Sequence, residues 1–197
     1  MRKLAAIFLL AAAPCFAGRR VPAAGPPIAK ADRADAYAIY SFLFTREWAQ
    51  APKTRYAIVE NTLSAAGAPW EQPQLALDEQ AFYGAALADL RQKARSSYSL
   101  EKGRFKMRGH YVLLSAPEMR AAAEMMSVAA AKRTGPYKKI QMLYQISPVG
   151  FNAARDRAIV YMEDFCGPLC GGGRLHFLAK TNGRWNEEQV VSILQRS

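Results

Sequence analysis

Apolar side chains recur at helical spacing in the first two thirds of the chain and at every second position in the last third. Tyr37, Tyr40, Ser41 and Phe44, widened by Ile39, Phe42 and Leu43, predict a helix over 33–48. Asp32 is placed to cap it, and Asp35 to add negative charge to its first turn. Phe82, Ala86, Leu87, Leu90 and Ala94 predict a second helix over 77–95, with Arg91, Lys93 and Arg95 crowding its last turn. Ser115-Ala116-Pro117-Glu118 is a capping box with proline inside the first turn, so a third helix should run to Lys132. Its inner face is Met119, Ala122, Ala123, Met126 and Ala130. Between the helices, 54–63 and 111–114 read as strands.

From Ile140 the period is two. Ile140, Met142, Tyr144 and Ile146 alternate with Gln141, Leu143 and Gln145, and Pro148 marks an edge or a bulge. Residues 158–162 and 175–179 are further strands. Asn182-Gly183 is the strongest hairpin signal, and Trp185 with 190–194 supplies a fourth strand, interrupted around 186–189. The expected fold is α+β: N-terminal helices packed on one face of a C-terminal antiparallel meander of about four strands.

One polar pattern also has a period of two. Lys102, Arg104, Lys106, Arg108 and His110 would line one face of a strand, with Phe105, Met107 and Tyr111 on the other. Such a strip suits phosphates or carboxylates; it equally suits an edge strand that blocks unwanted pairing with its charges. It has no interleaved aromatics on the cationic face, so it lacks the stacking platform of single-stranded nucleic acid binding.

The chain ends alter this picture. Arg2 and Lys3, the apolar run 4–13 and Cys15-Phe16-Ala17 read as a signal peptide over 1–17, cut after Ala17. The alternative is a lipoprotein anchored at Cys15. Residues 18–31, with Pro22, Pro26 and Pro27, read as a flexible leader, and 32–197 as one domain. No stretch of the mature chain is long and apolar enough for a transmembrane helix. The formal net charge is +11, and about +9 without Arg2 and Lys3, which favours anionic partners such as an envelope component. No specific nucleic acid motif and no cofactor motif is present.

After export, Cys166 and Cys170 are the remaining pair, and an oxidising compartment makes a disulfide the natural state. The spacing is not that of a C-x-x-C redox centre. Two sharper readings use His176: a metal set of Cys166, Cys170 and His176, or a thiol nucleophile with His176 as base. Taken alone, His176 reads as an exposed or edge-strand histidine. Gly171-Gly172-Gly173 offers either an anion-binding nest or a plain glycine-rich connection. Glu163-Asp164 and Glu187-Glu188 are adjacent pairs whose side chains diverge in strands.

The segments Ser147-Pro148-Val149-Gly150-Phe151-Asn152, Cys166-Gly167-Pro168-Leu169-Cys170-Gly171-Gly172-Gly173 and Lys180-Thr181-Asn182-Gly183-Arg184-Trp185 resemble a group of small exported bacterial proteins. That group shows the pattern G-F-N, C-G-x-L-C-G-G-G, x-G-x-W. The resemblance covers about the second half of the chain and implies export but no activity. This chain departs from the group in inserting Asn186-Glu187-Glu188-Gln189 after Trp185. The closing strand, Asn-Gly and Trp-bearing strand also resemble cystatin-like and NTF2-like cone folds, which host binding modules and enzymes alike.

The leading expectation is an exported, non-catalytic binding or interaction protein of unknown ligand, with a disulfide-pinned glycine-rich loop. The alternatives are a small pocket enzyme lined by Tyr37, Tyr40 and Trp185, and a metal-binding protein.

Overall fold

In the computed structural model the described residues are 25–50, 55–64, 77–107, 109–128 and 132–195. The expected signal peptide, Cys15 and the first part of the leader lie outside them. From Gly25 onward the chain is built into the fold: Pro27 bridges to Ser99, and Ile28 is buried.

Helix α1 spans Lys30–Gln50, and it buries Ala36, Tyr37, Ile39, Tyr40, Leu43 and Phe44 along one side. It begins earlier than expected, so Asp32 lies in its first turn rather than at its cap. Helix α2 is Leu77–Lys93 and helix α3 is Ala116–Met126. At the start of α3 the Ser115 N–H and hydroxyl both donate to Glu118 Oε2, at 2.9 and 2.6 Å. These bonds hold the Glu118 carboxyl below the usual carboxylate range. The helix stops at Met126, short of Lys132.

Among the described residues seven strands form one mixed sheet: β1 Tyr56–Val59, β2 Tyr111–Leu114, β3 Met142–Ile146, β4 Gly150–Phe151, β5 Arg157–Gly167, β6 Cys170–Thr181 and β7 Arg184–Gln195. The order is β2-β1-β3-β5-β6-β7, with β4 also on β5. The sheet exceeds the expected four strands because β1 enters between β2 and β3 and runs parallel to both. Parallel neighbours need a crossover, and α3 provides the one from β2 to β3. The β3–β5, β5–β6 and β6–β7 pairs are antiparallel.

Pro148 interrupts the line from β3 to β4, as a residue without an N–H must. Ser147 repairs the break: its N–H donates to Tyr161 O, and its hydroxyl accepts the Tyr161 N–H, each at 2.9 Å. The β6–β7 turn has Asn182 at φ 51 and Gly183 at φ 75, the left-handed pair that a two-residue hairpin requires. Strand β7 continues through Asn186–Gln189, but its register slips there.

The helices cover both faces, not one. Helix α1 packs on Tyr56, Ile58, Tyr144, Ile146, Ala158, Val160, Met162 and Leu178. On the opposite face α2 covers Ile159, Tyr161, Leu175 and Phe177, while α3 covers Ala57, Val59, Leu143 and Phe165. Strand β5 is therefore buried on both sides, the environment of a continuous apolar run such as Ala158-Ile159-Val160-Tyr161-Met162.

Among the described residues of 102–110 none is in a strand. Lys102–Arg104 is a single 3-10 turn, and Phe105 then enters the core beside Tyr37, with ring centroids 5.2 Å apart. Two main-chain donors here are satisfied by α1 rather than by a ladder. Tyr37 Oη accepts the Glu101 N–H at 2.6 Å, and Ser41 Oγ accepts the Lys106 N–H at 2.8 Å. Lys102, Arg104 and Lys106 do not line one face of a strand as expected.

Candidate functional site

The cysteines lie where β5 turns into β6. Cys166 and Cys170 are joined in a disulfide with Cα atoms 5.1 Å apart, and Pro168 and Leu169 form the exposed tip. The bridge closes a hairpin. Gly171, Gly172 and Gly173 are strand residues paired with Phe165, Asp164 and Glu163, so their amides belong to a ladder and form no anion nest. Close approach accounts for the last of them. A Cβ on Gly173 would fall 1.9 Å from the Tyr161 hydroxyl.

His176 is fully buried, not at an edge. It lies beneath α1, where Nδ1 meets Glu187 Oε1 at 2.6 Å. The other oxygen of Glu187 is paired with Arg46 of α1. Burial raises the Glu187 carboxyl, but the His176 hydrogen bond and the Arg46 guanidinium outweigh it and hold the carboxyl below its usual range. Two residues along β6, Arg174 bridges Glu47 at 3.3 Å and Asp164 at 3.0 Å. With the sulfurs joined and His176 on Glu187, the three predicted metal ligands make no common site. Among the described residues no three His, Cys, Asp or Glu side chains are grouped to hold a metal. The adjacent carboxylates do diverge: Glu187 turns to His176 on the α1 face, whereas Glu188 accepts from Tyr83 of α2 on the other.

A second charged group closes the other end of α1. Asp32 pairs with Lys93 at 2.8 Å and Arg155 at 2.7 Å; Asp35 pairs with Lys180 at 2.7 Å and accepts from Trp185 Nε1 at 3.1 Å. Burial raises both aspartates, but these donors prevail and both carboxyls lie below their ordinary range. Trp185 is thus a structural residue, and Tyr37 and Tyr40 are core residues. The cavity beside Tyr40 holds about 50 Å³, too small for an organic substrate.

A larger opening lies beside β2. A cavity of about 450 Å³ is lined by Arg55, Lys102, His110 and Lys139, by Tyr56, Tyr111 and Tyr137, by Glu118, and by Val112, Leu113, Leu114, Pro136 and Ile140. Two members of the expected strip, Lys102 and His110, meet here. Arg104 is turned to Glu101 at 2.7 Å, Lys106 is exposed outside the cavity, and Arg108 lies outside the described residues. Arg55 and Lys139 were not expected. They arrive because the Gln141 N–H donates to Arg55 O at 3.1 Å, which aligns the approaches to β1 and β3. No ion pair joins Arg55, Lys102, His110 or Lys139 to a carboxylate among the described residues. Glu118, the carboxylate of the wall, is engaged by Ser115 and by the Tyr137 hydroxyl at 3.5 Å.

Comparison with protein-family models, with curated proteins and with solved structures finds no match.

Proposed function

We propose that this protein is an exported, non-catalytic binding module that holds an anionic ligand, such as an envelope component, in the groove beside β2. One observation carries the reading: Arg55, Lys102, His110 and Lys139 converge on a single cavity without carboxylate partners among the described residues. Elsewhere in the fold, Lys93, Arg155, Arg174 and Lys180 are all matched. Arg55, Lys102 and Lys139, left unmatched around an open space, hold their charge available for a ligand, and His110 adds a polar ring. Tyr111, Tyr137 and Val112 add apolar surface for the ligand's body.

Export is supported by the sequence pattern of 1–17 and by the disulfide, which an oxidising compartment maintains. The mature chain should begin at Gly18, and its intact mass reads this directly; a lipid-modified Cys15 would replace that account. The antiparallel run β3-β5-β6-β7 supports a meander of the cystatin-like or NTF2-like kind, while helices on both faces weigh against a cone.

The test is charge reversal. Arg55→Glu with Lys139→Glu should weaken binding of anionic vesicles or a short polyphosphate by roughly tenfold or more, with a reduced salt dependence. Lys106→Glu, outside the cavity, should change it little. Equal losses in both variants would mean that net charge, and not the groove, attracts anions.

A further inference from the structure

We propose that the groove takes its ligand as an extended acidic peptide, added as a new strand on the open edge of β2. This rests on the groove reading and names the ligand class for it. Tyr111, Val112, Leu113 and Leu114 all line the one cavity. Side chains of a strand alternate between its faces, so a cavity that touches four consecutive residues runs along the strand's edge. That edge is the end of the sheet, since β2 is the terminal strand.

The ladder fixes which main-chain groups face the groove. Leu114 O accepts the Glu60 N–H at 2.9 Å, and Val59 is the register partner of Leu114. In a parallel pair alternate residues turn their main chain to the neighbour. Val112 and Leu114 therefore turn to β1, while the N–H and C=O of Tyr111 and Leu113 point outward. Among the described residues nothing bonds these outward groups. They offer alternating donors and acceptors at the spacing an extended backbone matches.

Charge decides what kind of strand is added. Lys102 and His110 lie on the approach to the strand, Arg55 on the approach to its neighbour β1, and Lys139 on the approach to β3 beyond it. A second copy of β2 would bring the same cations against one another, which opposes self-pairing. A peptide with acidic side chains meets them with opposite charge. A polyphosphate would satisfy the cations but leave the main chain of Tyr111 and Leu113 unused.

The full chain is titrated with three probes: a labelled peptide alternating glutamate and valine, the same peptide N-methylated along its main chain, and a short polyphosphate. Amide exchange at Tyr111 and Leu113 is followed by NMR. Strand addition requires that the plain peptide bind and slow exchange at these two amides. N-methylation should weaken binding by roughly tenfold or more, because every peptide donor is lost while charge is kept. Polyphosphate should bind without protecting the amides. If the methylated peptide binds as tightly, or the plain peptide binds without protecting Tyr111 and Leu113, strand addition is overturned and the anion groove stands. If no probe binds, both readings fall.

Discussion

The groove beside β2 and the cluster under the C-terminal end of α1 use similar chemistry to opposite ends. Each gathers histidine, arginine and a carboxylate. In the cluster His176 is fully buried and joined to Glu187, which is joined in turn to Arg46, and Arg174 is divided between Glu47 and Asp164. In the groove His110 and Lys102 are exposed, and Glu118 is occupied with the cap of α3. Residue type alone does not separate the two. Partnership does: the matched charges tie α1 to the sheet, and the unmatched ones border a cavity.

Breaking the closed side should cost the most. Glu187→Ala leaves His176 buried without its partner and frees Arg46, and should destabilise the fold by about 3 kcal/mol in denaturant unfolding. A loss below about 0.5 kcal/mol would show that the cluster does not tie α1 to β6 and β7. Next comes packing on the opposite face of the same strand. Gly173→Ala drives a methyl group into the Tyr161 hydroxyl and should cost about 1–3 kcal/mol, relieved in part by a second change, Tyr161→Phe.

The aspartates at the other end of α1 make the closed side sensitive to acid. Their folded pKa values are depressed, so their contribution is complete above the ordinary aspartate pKa of about 4 and is lost as pH falls through the folded values. Asp35→Asn should therefore lower Tm at neutral pH and leave a smaller difference from wild type in strong acid. The smallest effect on stability belongs to the groove. Arg55→Glu with Lys139→Glu should shift unfolding by no more than about 0.5 kcal/mol, although it should weaken anion binding. A large loss of stability in that variant would erase the distinction between the two regions.

Local signals carried much of the fold. The Ser115–Glu118 box sets the start of α3, and Asn182-Gly183 sets the β6–β7 hairpin. What escaped was non-local. Nothing near Tyr56 announces that β1 pairs with Met142. The alternation of 102–110 imitates a strand, yet Lys102–Arg104 is a 3-10 turn, and Phe105 and two α1 hydroxyls anchor the chain around it on α1. The burial of His176 was within reach. Counting outward from Asn182-Gly183 puts Glu187 opposite Leu178, and so diagonal to His176 on the same face. The unbroken apolar run in β5 likewise marks a strand covered on both sides, and so argues against helices on one face. For the groove, Lys102 and His110 were visible in the alternation, but their convergence with Arg55 and Lys139 depends on the parallel pairing.

The placement of β1 between β2 and β3 has a consequence for how the molecule assembles. Strands β5, β6 and β7 pair through short turns, so their contacts close quickly at small entropic cost. Strand β1 must instead find partners far along the chain, at Tyr111 and at Met142. Parallel pairing across such separations is slow, because the loop entropy is spent before the contacts form. The edge that lines the groove is thus expected to be a late-forming part of the sheet, and a chain emerging N-terminus first must hold β1 unpaired until β2 has followed it.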